Sequence, residues 1–186
     1  MLDFLVQNTR VEDEICVLLD KPKANESLIK LLHSYEGIII FKESAFPGDF
    51  SQWKNELTEM CSGDYIFQID ADEIPHENLI YALPEILEEN LIDVMLVPRV
   101  NTVEGLTQEH IRKWGWNVNE KGWVNWPDYQ WRIYRNTPEI RWKNKVHEVL
   151  DGYKTLSYIP QDEEWCLYHH KHIERQERQN EFYNRI

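Results

Sequence analysis

Apolar residues in the first hundred positions gather into four short runs separated by amphipathic stretches. Residues 14–20, EICVLLD, are near-continuously apolar and end in Asp, which is how a buried parallel strand reads. The runs GIIIFKES at 37–44, DYIFQID at 64–70 and DVMLVPRV at 93–100 follow the same pattern. Between them Leu28, Ile29, Leu31 and Leu32 recur at helical spacing within 22–35, where Asn25 can cap a helix. A second helix is expected from a cap at Asp49 or Ser51 through Cys61, stopped by Ser62-Gly63. A third opens at Pro75 and Glu77 and runs to about Glu89, with Pro84 disturbing its middle. Residues 2–7 read as the tail of a helix. Strands and helices alternate, so the pattern predicts an α/β domain with a mostly parallel central sheet flanked by helices.

After Val100 the pattern changes. Residues 102–126 form a Trp-rich insertion without a clear period. Residues 129–135, YQWRIYR, alternate as a strand, and 139–149 read as another after a turn near Thr137-Pro138. A small additional β segment is therefore expected in the C-terminal half. Residues 173–186 read as a polar helix. No repeat or linker divides the chain, so residues 1–186 are read as a single domain.

Charge narrows the function classes. The 33 acidic and 20 basic residues give a net charge of -13, which disfavours a nucleic-acid partner and a basic lipid-binding patch. An acidic protein that handles phosphate usually recruits a cation. Cys16, Cys61 and Cys166 are separated and form no Cys-x-x-Cys pair, so three reduced thiols in a cytoplasmic protein are expected. The start of the chain lacks the basic-then-apolar pattern of a signal peptide. No apolar stretch reaches about 18 residues, so no transmembrane segment is expected.

The strongest chemical signal is IDADE at 69–73. Its acidic residues follow an apolar strand, at the sheet edge where α/β proteins bind ligands. Extended backbone turns Asp70 and Asp72 to the same side, and two such carboxylates suit Mg²⁺ or Mn²⁺. A solvated acidic turn is the plain alternative, because Asp-x-Asp alone is common.

The surrounding residues resemble the family 2 glycosyltransferases. GDYIFQIDADE after WKNELTEM is similar to that family's central stretch, and EICVLLDKPKANES to its second strand. NWPDYQWRIYRN at 125–136 and IRWKNKVHEVL at 140–150 resemble the later half of a bacterial subfamily that includes lipopolysaccharide core β-glucosyltransferases. The resemblance implies a GT-A, Rossmann-like fold, with residues 1–100 as the nucleotide-binding half and 101–186 as the acceptor and metal half. It implies a metal-dependent, inverting transfer from a nucleotide-sugar donor, with a uridine diphosphate sugar expected, to a glycan or lipid-linked acceptor. Asp20 would then bind the base, Asp70 would lie near ribose and metal, and Asp72 would bind the metal.

The residues of the second segment agree with this chemistry. His147, beside Val146 and Glu148, is a third metal ligand if its imidazole meets the two carboxylates, or a surface histidine if it does not. Asp128, after Pro127, is the expected base for the acceptor hydroxyl, with Glu148 the runner-up. Lys54 and Arg132 are candidate donor-binding cations, although Arg132 has the alternative of pairing with an acidic residue. By the resemblance, one of His169, His170 and His172, with His170 the first choice, would reach the diphosphate. Trp114, Trp116, Trp123 and Trp126 are either a sugar-stacking platform or core. His169, His170 and His172 look like a ligand run, yet their spacing lacks the usual zinc partners.

The family's opening strand has no counterpart before Met1, and residues 2–13 fit the end of its first helix. A homo-oligomer covering the exposed sheet is one expectation from this, and a membrane-peripheral location another. A nucleotide-sugar-binding module without turnover is the main rival. A nucleotidyltransferase is a weaker one, because no Gly-rich basic loop is present.

Overall fold

The computed structural model of the chain describes residues 1–183. In order, its elements are α1 (Leu2–Asn8), β1 (Cys16–Asp20), α2 (Glu26–Ser34), β2 (Ile40–Ser44), α3 (Phe50–Thr58) and β3 (Tyr65–Phe67). Next come β4 (Glu73–Pro75), α4 (Glu77–Glu89), β5 (Val94–Val97), β6 (Arg99–Glu104), α5 (Gln108–Trp114) and β7 (Gln130–Arg135). The chain continues through β8 (Arg141–Lys143), β9 (Val149–Asp151), β10 (Leu156–Tyr158), β11 (Leu167–His172) and α6 (Ile173–Tyr183). The expected C-terminal helix is thus present, and its last three positions lie outside the described residues.

The fold is α/β. The four-stranded sheet has the order β10-β5-β7-β3. In it β10, β5 and β3 share one direction, and β7 runs against them. The strands β1 and β2 pair in parallel as a separate sheet. A three-stranded sheet, β4-β11-β6, and the β8-β9 hairpin complete the framework.

Strand β5 is central because all four of its residues are apolar and buried. Val94 and Leu96 pack on one side with Tyr134, Trp142 and Leu150. Met95 and Val97 pack on the other with Leu79, Ile133 and Leu167. A third cluster, Leu19, Leu32 and Ile39, lies under the β1-β2 pair. Each fully buried side chain of this size contributes about 1.5–3 kcal/mol relative to exposure.

Local chemistry sets the element ends. Asn25 caps α2 by accepting a hydrogen bond from Leu28 N at 2.8 Å. Asp49 caps α3 by accepting from Ser51 N and Gln52 N. Thr107 and His110 make a reciprocal cap for α5, which ends on Gly115 at φ 65°. The insertion therefore contains a helix that its residue pattern does not announce.

Other expectations change. The run 93–100 is two strands, because Pro98 cannot donate to the ladder and the chain moves from one sheet to the next. The run 139–149 is the first strand of a hairpin and its loop, with Asn144 and His147 at φ 73° and 54°. Strand β2 starts only at Ile40, since Gly37 at φ 83° sits in a turn closed by Ile38 N donating to Tyr35 O.

Candidate functional site

The site begins where β3 ends. Gln68 N makes a last ladder bond to Arg132 O, and the acidic motif then turns, with Glu73 N donating to Asp70 O. Glu73 enters β4 and is fully buried. A buried carboxylate needs partners. Arg132 Nη2 and Arg99 Nη1 each donate to Glu73 Oε1 at 2.7 Å, and Arg132 Nε donates to Oε2 at 2.9 Å. Burial alone would raise the Glu73 carboxyl, but the two guanidiniums outweigh it and hold it low. They stay charged for the reciprocal reason: neighbouring carboxylates overcome the burial that would lower their pKa.

From this pair the network spreads in both directions. Arg132 Nη2 reaches Asp70 Oδ2 at 2.5 Å, and Lys54 Nζ lies 3.8 Å from Asp70 Oδ1. Lys54, 6% exposed, also meets Glu148 Oε1 at 2.7 Å and stands over the Trp142 ring. On the other side Arg99 clamps Asp128 Oδ2 through Nε and Nη2, and Asn101 Nδ2 donates to the same oxygen. Asn101 Oδ1 meets His169 Nδ1 at 2.8 Å. His169 Nε2 lies 3.3 Å from Asp72 Oδ2, which also accepts from Arg175 at 2.8 Å.

Apart from Glu73, which lies buried behind the wall, and Arg175, these side chains line one cavity of about 420 Å³. Lys54, Asp70, Asp72, Asp128, Arg132, His147 and Glu148 line it, so seven residues singled out from sequence converge. Asp20 and His170 are not among its lining. Asp20 ends β1, where its carboxylate accepts from Phe46 N and meets Lys23. His170 is exposed on the opposite face of β11 from His169. Of the four insertion tryptophans, Trp116 alone lines the cavity.

Arg99, Asn101 and Lys171 also line the wall, and sequence reasoning gave them no role in it; His169 lines it too, where the histidine run puts His170 forward instead. Arg99 had one available signal: a basic residue just past a buried strand, able to answer the acidic motif. Lys171 is 9% exposed and donates to Gln179. Its pKa is lowered, burial being the main cause. In Asp72, burial would raise the carboxyl, but His169, Arg175 and Lys171 together hold it far below the usual range.

Two carboxylates and an imidazole are a suitable donor set for Mn²⁺ or Mg²⁺. Asp70, Asp72 and His147 all face the cavity, though their donor atoms are not gathered within 4.8 Å of one another. Asp72 Oδ1 accepts no hydrogen bond among the described residues, so a lone pair is available there. The backbone at His147 is in the left-handed region, a strain that clusters at functional sites.

Comparison with known proteins places this geometry. The model of the family "Glycosyl transferase family 2" matches residues 1–160. Comparison with curated proteins finds no match. Among solved structures, S. aureus TarS 1-349 in complex with UDP-GlcNAc is similar at 15% identity and a TM-score of 0.61, over 92% of this chain and 54% of that one. The same TarS fragment with UDP gives 14% identity and a TM-score of 0.60, over 91% and 55%. A structure of S. aureus TarS gives 14% and 0.58, over 91% and 33%. The chain thus spans about half the length of the TarS fragments and a third of that longer TarS chain. At this identity the likeness is one of fold, which is GT-A.

Proposed function

The chain belongs to glycosyl transferase family 2, and on that premise we propose that it moves a sugar from a nucleotide-sugar donor to a glycan or lipid-linked acceptor, with inversion. The observation that carries this is the single cavity where the acidic motif, His147 and Asp128 meet four cationic side chains, Lys54, Arg99, Arg132 and Lys171. A uridine diphosphate sugar is the proposed donor, since TarS is seen with UDP-GlcNAc and with UDP.

In this reading Asp70, Asp72 and His147 would hold Mn²⁺ or Mg²⁺, and such an ion would supply Lewis-acid stabilisation to the diphosphate. Lys54 and Arg132 add positive charge beside it, and Asp20 takes the base from the neighbouring sheet edge. Asp128 is the base. Its Oδ2 is filled by three hydrogen bonds, whereas Oδ1 accepts only from Gln130 Nε2 among the described residues. A carboxylate oxygen has two acceptor sites, so Oδ1 keeps one for an acceptor hydroxyl. That hydroxyl gives its proton to Oδ1 as its oxygen bonds to the anomeric carbon, and the bond from that carbon to the diphosphate breaks. A single displacement of this kind inverts the centre. Glu148 is the weaker candidate, because Lys54 holds its carboxyl low against the opposing effect of burial. Its role is to fix Lys54. Among the described residues no helix is long and apolar enough to cross a membrane.

The test is a thermal-shift panel of UDP-sugars with and without Mn²⁺, on the chain and on Asp72→Ala, followed by an assay of UDP release. Stabilisation should require Mn²⁺ and disappear in Asp72→Ala. Stabilisation that survives the substitution contradicts the metal assignment. Binding with no UDP release, with or without acceptor, would reduce the chain to a binding module.

A further inference from the structure

Strand β11 alternates, and only one of its faces serves the cavity. His169 and Lys171 point inward and are buried, whereas His170 and His172 point outward with side chains 59% and 65% exposed. The parallel neighbour β6 sets Thr102 beside His170 and Glu104 beside His172. The partner that the histidine run lacks in sequence thus arrives from another strand. Glu104 Oε2 lies 3.7 Å from His170 Nε2 and 3.0 Å from His172 Nδ1.

From this geometry we propose that Glu104, His170 and His172 form a second metal site, for a borderline transition-metal ion of the Zn²⁺ class. The three donor atoms lie within 4.8 Å of one another. A tetrahedral ion with bonds of about 2.0–2.1 Å keeps its donors roughly 3.3 Å apart, midway between the two separations observed. Thr102 Oγ1 is 2.9 Å from His170 Nδ1. With the proton on Nδ1 donated to that hydroxyl, the Nε2 lone pair faces Glu104, the arrangement by which an outer hydrogen bond orients a metal-bound histidine. Two imidazoles and one carboxylate select Zn²⁺, Ni²⁺ or Cu²⁺ over Mg²⁺ and Ca²⁺, and water fills the remaining coordination. None of the three residues lines the cavity or is among the proposed catalytic ligands, so the two ions do not compete for ligands. An ion here ties β6 to β11 directly behind His169, which touches Asp72, and just before α6, whose Arg175 touches Asp72.

Calorimetric titration of Zn²⁺ into the reduced full chain and into its His170→Ala/His172→Ala variant tests this. Glu14, Cys16 and Cys61 also bring their donors within 4.8 Å of one another, but any ion taken there or at Asp72 is common to both proteins and cancels. The variant should bind one equivalent fewer, and equal stoichiometry overturns the proposal. A second measurement needs no variant. In NMR spectra of the histidine rings, saturating Zn²⁺ should move His170 and His172, and the same amount of Mg²⁺ should not. Unmoved rings under saturating Zn²⁺ also overturn it.

Discussion

His147 carries two opposing demands at the residue scale. Its φ of 54° is a conformation that costs an L-residue about 1–2 kcal/mol, and glycine adopts it freely. We therefore expect His147→Gly to be more stable than His147→Ala by about 1 kcal/mol in urea unfolding. Both should lose the Mn²⁺-dependent stabilisation by donor. If Ala equals Gly in stability, the backbone at 147 is not strained. If Mn²⁺ still acts on both, the imidazole is not a ligand. The carboxylates set a pH dependence. Glu73, Asp72 and Glu148 all have folded pKa values below their ordinary ones. A depressed carboxyl contributes stability that is present above its unfolded pKa and lost as pH falls through the folded value. The urea midpoint should therefore fall as pH drops below about 5, from an unfolded reference near 4. In Glu73→Gln this acid dependence should be shallower. Breaking the buried pair should also lower stability at neutral pH by about 3–5 kcal/mol, because two guanidiniums lose their shared partner. An unchanged slope in Glu73→Gln would remove Glu73 from that account.

At the scale of elements, the loop between β8 and β9 delivers His147 and Glu148, and Gly152, just past β9, lets the hairpin's open end close against Glu139. A Cβ at Gly152 would lie 1.9 Å from Glu139 O and 2.7 Å from Glu139 C, and its φ is 87°. Relief requires backbone movement. Gly152→Ala should cost about 2–4 kcal/mol, from a forced packing shift plus left-handed strain. A Gly152→Ala protein with the parent urea midpoint would show that the backbone at Glu139 yields freely. The same scale explains what could be read from sequence. Strand β5 is a run of apolar residues long enough to identify, and the cap of α2 follows from Asn25. Strand β4 was missed because Glu73–Pro75 is too short to show a period and reads as the start of a helix. Strand β11 was missed because its alternation is carried by His and Lys instead of apolar residues. The acidic motif was legible because it lies in one segment. The roles of Arg99 and His169 were not, since each acts only after β6 and β11 pair beside β4. Glu104 becomes a histidine partner for the same reason.

Across the whole molecule the cavity and Asp20 belong to different sheets. β5 is bonded on both sides, by β10 and β7, and packs into two cores. β1 and β2 bond only to each other over a smaller core, and a two-stranded sheet alone is marginal in water. Polar links anchor this unit to its neighbours: Glu14 accepts from Ser62 N and Gly63 N, Cys16 Sγ approaches Met60 O, and Glu56 of α3 meets Lys42 and Ser44 of β2. With the smaller core, local opening should still be easier there. Amide exchange at Val17 and Leu19 should report an opening free energy at least ~2 kcal/mol below that at Met95 and Ile133. Donor binding then becomes a test of how the two sheets cooperate. A ligand that contacts only the closed form stabilises it by mass action. If Asp20 holds the base while Asp70 and Asp72 hold the metal, UDP with Mn²⁺ bridges the sheets, and exchange at Val17 and Leu19 slows together with that around the cavity. UDP without Mn²⁺ should have a smaller effect, and Asp20→Ala should uncouple the β1 amides while leaving the cavity protected. Unchanged exchange in β1 at saturating UDP and Mn²⁺ would mean that the cavity holds the donor alone and Asp20 has no part in it.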